Sequence, residues 1–309
     1  MIDHAVRAVG VTKRFGSHTA VSDFHFEVPP GTIYGLLGPN GSGKTTMIRM
    51  IMGILLPDEG SVELLGGPPD FAHRARVGYL PEERGVYEKM KVLDQLVFLG
   101  EIRGVERSLV KARGLEWLER LQLSEWAHRR VEDLSKGMQQ KVQFIGTVLH
   151  DPDLLILDEP FSGLDPINQD VLEAIVKEEA RKGKTILFST HLMEQAERLC
   201  ERVCLISDSK KVLDGDLREL KKQQRSGVVA VEFEGDQTWL AQPWVEDQTE
   251  VGPAVHVRLS EGTGAGELAQ AALNAGVDLR RIELMEPTLR EIFVAHAGVR
   301  PETREEVAT

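Results

Sequence analysis

The chain has 309 residues, 41% of them hydrophobic and 28% charged, a composition typical of a soluble protein with room for two domains. No apolar run approaches the roughly 18 residues that cross a bilayer, and the amino terminus lacks a signal-peptide pattern, so we expect a cytoplasmic protein. The net charge of −12 argues against a broad nucleic-acid surface. Cys200 and Cys204, the two cysteines, are too few for a metal site and are predicted to be reduced and buried at a helix end.

The first strands of the chain are predicted from alternating apolar and polar residues. Residues 6–11 and 24–28 alternate in this way, with a turn at Gly16 and Ser17, which predicts an antiparallel pair. Phe15 stands just before the turn. From the pattern alone it is either a core residue or an aromatic platform for a nucleotide base.

A glycine-rich loop follows the next strand. Residues 38–45 fit the pattern of a glycine, four residues, then Gly-Lys-Ser/Thr, between a short buried strand (32–37) and a helix. Such a loop can turn its N–H groups toward phosphate, and the amino terminus of the following helix adds partial positive charge. The alternative is a glycine-rich turn that binds nothing, but such a turn would not need a strand before it and a helix after it. We expect nucleotide contacts from Gly38, Pro39, Asn40, Gly41, Ser42, Gly43, Lys44, Thr45 and Thr46.

The middle of the chain combines short strands with a helical insert. Residues 56–61 predict a turn, 62–64 a strand, and 77–82 a buried strand that ends in the carboxylate of Glu82. Residues 92–99 and 109–121 have helical spacing, so a helical insert is expected over about 84–150. Its last helix is predicted to be capped by Ser135 and to bury Val142, Ile145 and Leu149.

Two further strands are predicted to bring polar groups to one edge of a sheet. Residues 154–158 are apolar and end in Asp158 and Glu159, which indicates a strand buried on both faces of a parallel sheet. The strand at 185–190 ends at His191, after a helix that runs to Arg181. Ligands bind at the carboxyl edge of such sheets, so these three side chains are candidates for phosphate chemistry.

The remainder of the chain predicts a hairpin at 203–213, a polar linker at 221–227 and a small α+β domain at 228–300. In that domain, strands are expected at 228–234, 255–259 and 281–284, and helices at 266–275 and 288–297. The tail at 301–309 is charged and predicted to be disordered.

Taken together, residues 5 to about 220 resemble the ATP-binding subunit of ABC transporters. The motifs that carry the resemblance are the phosphate loop, the signature Leu-Ser-Lys-Gly-Met at 134–138, the Asp158-Glu159 pair, Ser-Gly-Leu-Asp at 162–165, and His191. The resemblance implies an α/β fold with a P-loop NTPase core and parallel sheet, an amino-terminal antiparallel β subdomain and a helical insert. It also implies an ATPase domain over 1–220 whose cofactors are ATP and Mg²⁺.

The resemblance also implies a role for each site residue. Lys44 would hold phosphates, Glu159 would orient or deprotonate the attacking water, and His191 would contact the γ-phosphate. Metal ligands would be Thr45, Asp158 and Glu82, and Phe15 would stack on adenine. Ser135 and Gly137 of a second copy would close over the nucleotide, which implies a homodimer. The other expected partner is a multi-span permease, so the chain would lie on the inner face of the membrane, and no nucleic-acid partner is expected.

Two motifs depart from the family pattern. Glu82 stands where a glutamine is usual, and the signature has Lys136 and Met138 in place of Gly and Gln. These departures and the extra carboxyl-terminal domain resemble ABC-2-type exporters of the drug and sodium extrusion branch. A soluble ABC ATPase of translation or DNA repair is the alternative, although such proteins generally carry two units or a coiled coil. A P-loop kinase or GTPase is disfavoured by the signature and the Asp158-Glu159 pair.

Overall fold

The computed structural model describes residues 3–83, 85–224, 227–260 and 262–297. In chain order the strands are β1 (Val6–Phe15), β2 (His18–Val28), β3 (Ile33–Leu37), β4 (Glu59–Leu64), β5 (Val77–Leu80), β6 (Leu154–Asp158), β7 (Thr185–Thr190), β8 (Arg202–Ser207), β9 (Lys210–Asp216), β10 (Val228–Glu234), β11 (Val245–Val251), β12 (Ala254–Leu259) and β13 (Asp278–Leu284). The helices are α1 (Lys44–Ile51), α2 (Phe71–Arg74), α3 (Val92–Glu101), α4 (Arg107–Arg120), α5 (Lys136–Val148), α6 (Pro166–Arg181), α7 (Met193–Leu199), α8 (Leu217–Gln223), α9 (Ala265–Ala275) and α10 (Leu289–Ala297). Among the described residues, no helix combines the length and hydrophobicity of a membrane span.

A six-stranded sheet carries the phosphate loop. Its order is β5-β6-β7-β3-β8-β9, with parallel pairing throughout except for the antiparallel pair β8 and β9. Every residue of β3, β6 and β7 is buried, because apolar strands of a parallel sheet are covered on both faces. The register sets Leu37 beside Thr190, and Asp158 beside Ser189. Three strand ends therefore meet at one edge of the sheet, and the predicted fold class is confirmed.

A second, antiparallel sheet lies in the same unit as the first and has the order β2-β1-β4. Its apolar side shares one core with α1 and the larger sheet, and Phe24, Tyr34, Met47 and Ile156 are buried in this core. The predicted antiparallel pair is confirmed, and β1 extends to Phe15. β4 begins at Glu59, so the turn expected over 56–61 is shorter than predicted.

Helices α3, α4 and α5 form the predicted helical insert. Close approach of their backbones depends on glycine: a Cβ at Gly100 would lie 2.5 Å from Val110, and one at Gly146 would lie 2.7 Å from Leu99. Trp117 of α4 packs edge-on against Phe144 of α5, with ring centroids 6.1 Å apart. The contacts hold the signature-bearing helix α5 against the rest of the insert.

The chain divides into two compact units, Met1–Leu217 and Arg218–Thr309. The second contains a four-stranded antiparallel sheet of order β11-β12-β10-β13, and α9 packs on one face of it. Val229, Val257, Leu268 and Ala272 are buried in that core. The domain boundaries expected from the sequence, 1–220 and 228–300 with a linker between them, stay a prediction.

Some local predictions differ from the structure. Cys200 follows α7 but Cys204 lies within β8, so the two thiols do not share a helix end; both are free and buried, as predicted. Residues 221–223, predicted as linker, belong to α8. β11 was not predicted from the sequence, because its residues are mostly exposed and polar. Residues 225 and 226 of the predicted linker, and the tail at 301–309, lie outside the described residues.

Candidate nucleotide-binding site

The loop between β3 and α1 forms the base of a cleft of about 510 Å³. Gly43 precedes α1 with a φ of 112°, and a Cβ there would lie 2.3 Å from the carbonyl oxygen of Ala20. A Cβ at Gly38 would lie 2.2 Å from the carbonyl oxygen of Ile206. Only glycine fits these two positions, which explains the spacing of the motif.

Lys44 is buried in this loop, with 6% of its surface exposed. Its ammonium group donates to the carbonyl oxygens of Gly38 at 2.8 Å and Pro39 at 3.0 Å. Burial lowers the pKa of Lys44, an effect opposed by the carboxylates of Glu159, Asp158 and Glu82. The ammonium charge thus lies among three acids that the sequence analysis had singled out.

The cleft brings together most of the predicted nucleotide contacts. Its lining comprises Phe15, His18, Ala20, Asn40, Gly41, Gly43, Lys44, Thr45, Thr46, Glu82 and Glu159. Phe15 is 48% exposed at the end of β1, so the core interpretation of this residue is wrong. His18, which begins β2 on the other side of the turn, was not predicted to line the cleft; a single histidine in an alternating strand gave no signal for it.

Asp158 ends β6 and is 1% exposed. The hydroxyl of Ser189 donates a short hydrogen bond to Oδ1, whereas Oδ2 is buried without a hydrogen-bond partner. Burial raises the pKa of Asp158, and the hydroxyls of Ser189 and Thr45 oppose this shift. A smaller cavity of about 230 Å³ adjoins the cleft and is lined by Asp158, Thr45 and Glu82 among others.

The donor set at this edge fits Mg²⁺. The described residues contain no cluster of three or more His, Cys, Asp or Glu side chains that could enclose a metal. Mg²⁺ at nucleotide sites is instead held by one or two carboxylates together with substrate phosphates. The unpartnered, buried Oδ2 of Asp158, beside Thr45 and Glu82, supplies that kind of incomplete shell.

Glu159 has a left-handed backbone conformation, with a φ of 48°, and is 9% exposed. Its Oε1 accepts a hydrogen bond from the backbone N–H of His191 at 3.0 Å and lies 2.8 Å from His191 Nδ1. Its Oε2 lies 3.3 Å from the hydroxyl of Thr190. A non-glycine residue at this φ costs of order 1–3 kcal/mol, which is typical of functional sites. Two residues that were predicted to lie at the same sheet edge, Glu159 and His191, are thus in direct contact.

The signature residues lie apart from the cleft of their own chain. Ser135 caps α5 as predicted, and its hydroxyl accepts a hydrogen bond from the Met138 N–H at 3.3 Å. Ser135 is exposed, and neither it nor Gly137 lines the cleft.

Two buried glutamines of α5, which the sequence analysis missed, reach the loops of the site. Gln140 donates to the carbonyl oxygen of Pro160 at 3.0 Å, and Gln143 donates to those of Pro81 and Glu83, each at 3.2 Å. The helix that begins at the signature therefore contacts both the residue after Glu159 and the residues on either side of Glu82.

Comparisons with known proteins agree with this geometry. Residues 21–162 match the ABC transporter family, and residues 215–297 match the carboxyl-terminal domain of DrrA1-3-like ATP-binding proteins. An uncharacterized ABC transporter ATP-binding protein, YhaQ of Bacillus subtilis (strain 168), is 42% identical over 299 residues, which cover 96% of this chain and 98% of the relative. The Nod factor export ATP-binding protein I of Paraburkholderia xenovorans (strain LB400) is 39% identical over 218 residues, covering 70% of this chain and 72% of the relative.

Among solved structures, the ATP-binding subunit of an ABC transporter aligns with a TM-score of 0.66 at 29% identity, over 71% of this chain and 92% of the other. The chain therefore belongs to the ATP-binding proteins of ABC transporters. It is an ATPase of that family and its amino-terminal unit has the nucleotide-binding fold. The roles of individual side chains stay predictions.

Proposed function

We propose that this chain is the ATP-hydrolysing subunit of an exporter, in which two copies enclose Mg-ATP and drive a separate membrane subunit. The observation that carries the proposal is that Lys44, Thr45 and Glu159 line one cleft. Asp158 adjoins this cleft, and His191 contacts Glu159.

In the proposed mechanism, phosphoryl transfer depends on positioning and on neutralising charge. The N–H groups of the phosphate loop and the ammonium of Lys44 bind the β- and γ-phosphates. Asp158, Thr45 and Glu82 are the candidate ligands for Mg²⁺, which would neutralise phosphate charge. Glu159 orients the attacking water and accepts its proton, and His191, which contacts Glu159, donates a hydrogen bond to the γ-phosphate.

The exposed signature supports a dimer. Ser135 and Gly137 do not line the cleft that contains their own phosphate loop, so a second copy is the proposed source of these groups at each site. The serine-capped amino terminus of α5 then points at the triphosphate of the other chain, where its partial positive charge stabilises an anion.

The test uses Glu159→Gln, which we expect to bind ATP, accumulate as a dimer in size-exclusion chromatography and hydrolyse very slowly. Adding Ser135→Arg to Glu159→Gln places a bulky group at the proposed contact and should abolish the dimer while leaving ATP binding intact. Wild-type turnover in Glu159→Gln would contradict the role of the carboxylate. A dimer that persists in the double variant would contradict the composite site.

A groove of about 530 Å³ supports a membrane-subunit partner. Phe71 is 80% exposed on its wall, and Ile54 and Ile102 are each 56% exposed. Arg74, Arg103 and Glu101 also line it. Glu101 pairs with Arg107 at 2.9 Å, and Arg103 donates to the Arg74 carbonyl oxygen at 3.1 Å. Burial and the neighbouring Arg74 lower the pKa of Arg103. The groove thus suits an apolar cytoplasmic segment of the membrane subunit that carries a carboxylate.

Copurification with membranes tests this partner. Arg103→Glu should release the chain into the soluble fraction without loss of ATP binding, because charge reversal repels a carboxylate-bearing segment. A wild-type chain found only in the soluble fraction would favour the soluble ABC ATPase alternative, and nucleotide-dependent binding to ribosomes or DNA would identify it. Export as the direction of transport is supported by the Nod factor export relatives and the DrrA1-3-like domain.

A further inference from the structure

Thr190, the last residue of β7, contacts both halves of the site. Its carbonyl oxygen accepts a hydrogen bond from the backbone N–H of Gly38, the first residue of the phosphate loop, at 3.4 Å. Its side chain is fully buried, and the hydroxyl lies 3.3 Å from Glu159 Oε2. One residue thus connects the phosphate loop to the carboxylate that faces it.

The Thr190 hydroxyl has a single proton to donate, and its surroundings determine which group can accept it. The Leu192 N–H donates to it at 3.1 Å, so one lone pair is already used. Its single proton has two acceptors within reach, Glu159 Oε2 at 3.3 Å and Gln195 Oε1 at 3.2 Å. When the proton is directed to Glu159, the hydroxyl stabilises the ionised carboxylate.

The Glu159 carboxylate needs a second point of attachment. His191 contacts Glu159 through its backbone N–H and Nδ1, and both groups contact Oε1, so His191 does not hold Oε2 directly. The last side-chain torsion of glutamate is broad, so contacts with both oxygens define the plane of the carboxylate more closely than contacts with one. The Thr190 hydroxyl contacts Oε2 and, together with the His191 contacts to Oε1, fixes the plane of the carboxylate relative to the phosphate loop.

We propose that Thr190 is a positioning residue for ATP hydrolysis, which holds the carboxylate of Glu159 in the plane required to orient the attacking water. The proposal rests on the role of Glu159 proposed above. Gln195 competes for the same proton, so removing its carbonyl group leaves the hydroxyl committed to Glu159.

The test compares Thr190→Val, which keeps the shape and removes the hydroxyl, with Thr190→Ser, which keeps the hydroxyl. We expect Thr190→Val to lower kcat about tenfold, the factor given by ~1.4 kcal/mol in the barrier, with the Kd for ATP unchanged. Thr190→Ser should restore kcat, and Thr190→Ala replaces Thr190→Val if the latter fails to fold.

Gln195→Leu is the matched control, since it removes a buried contact of Thr190 but leaves the hydroxyl. Its kcat should equal or exceed that of the wild type; an equal loss in Gln195→Leu and Thr190→Val would indicate a packing role and overturn the proposal. Unchanged kcat in Thr190→Val would also overturn it. The ATP turnover of Glu159→Gln is measured in parallel. Normal turnover in Glu159→Gln would contradict the proposed function of Glu159. Slow turnover in Glu159→Gln together with normal turnover in Thr190→Val would contradict only the role of Thr190.

Discussion

The side-chain amide of Gln140 donates to the carbonyl oxygen of Pro160 across 3.0 Å, and both groups are buried. Gln140 lies on the helix that the signature begins, and Pro160 follows Glu159 directly. The part of the chain proposed to contact a partner's nucleotide is therefore attached to the loop that carries Glu159, the proposed catalytic carboxylate of the same chain.

Gln140→Met keeps the side-chain length and removes the donor. It should lower kcat, because the loop after Glu159 loses the hydrogen bond that holds the Pro160 carbonyl group in place. The unfolding free energy should fall by about 1–3 kcal/mol, the cost of a buried acceptor left unpaired. The matched control is Gln139→Met, since Gln139 donates to the carbonyls of Val131 and Leu134 in the segment that precedes its own helix. Urea unfolding and ATPase assays separate the two effects, and equal kcat in both variants would contradict a special role for Gln140.

The phosphate loop offers a paired test of backbone conformation. Gly41→Ala should cost about 1–2 kcal/mol, because Gly41 has a φ of 77° but no atom within 4 Å of a new Cβ. Gly43→Ala adds a clash at 2.3 Å with the Ala20 carbonyl, so its cost should reach at least ~3 kcal/mol. Unfolding in urea without nucleotide measures both, and similar losses would mean that the clash relaxes.

Glu82→Gln tests the departure from the family pattern. Glu82 is exposed and lines both cavities. Because the amide removes a negative charge beside ATP, Glu82→Gln should strengthen ATP binding in EDTA. If Glu82 is a metal ligand, the same change should raise the Mg²⁺ concentration for half-maximal hydrolysis roughly tenfold. Glu83→Gln is the control, because Glu83 is 90% exposed and pairs with Arg49 at 3.7 Å. The same Mg²⁺ shift in both variants would exclude Glu82 as a specific ligand.

His150 predicts a pH dependence of stability. Burial and the nearby Arg103 lower the pKa of His150 to about 4, and Nε2 lies 3.2 Å from the Val77 carbonyl oxygen. Below pH 6.5 the unfolded chain binds a proton that the folded chain does not, so stability falls on acidification through the window from 6.5 to 4. Between pH 7 and pH 5 this histidine should remove about 2 kcal/mol. His150→Gln should flatten that part of the stability profile, and an unchanged slope would contradict the assignment.

The elements that the sequence predicted are those with a strong local pattern. β6 is apolar at four successive positions, and α5 has a serine cap and a buried face. β11 was missed because its residues are largely polar and exposed. α8 was missed because it is short and only Leu217 and Leu220 of its seven residues are apolar. A strand or helix with few apolar residues therefore gave no clear pattern in the sequence.

The same distinction holds for the site. The phosphate loop and the Asp158-Glu159 pair could be predicted because each is a short contiguous motif, and His191 because it directly follows a predicted strand. Gln140, Gln143 and Thr190 contact residues that lie 20, about 60 and 31 positions away in the sequence, respectively. Contacts between such distant positions cannot be predicted from a local sequence pattern. Phe15 illustrates the limit of burial patterns, since an aromatic residue at a strand end is equally compatible with core and cleft.

The burial of both cysteines has a practical consequence. Cys200 is 8% exposed and Cys204 is inaccessible, and burial raises the pKa of each thiol well above its usual range, so neither supplies a reactive thiolate in the folded protein. A cysteine introduced at an exposed position such as Lys136 would consequently be the one thiol open to a maleimide spin label. The distance between two such labels could then report, in the otherwise unmodified protein, whether and when two signature helices approach each other during turnover.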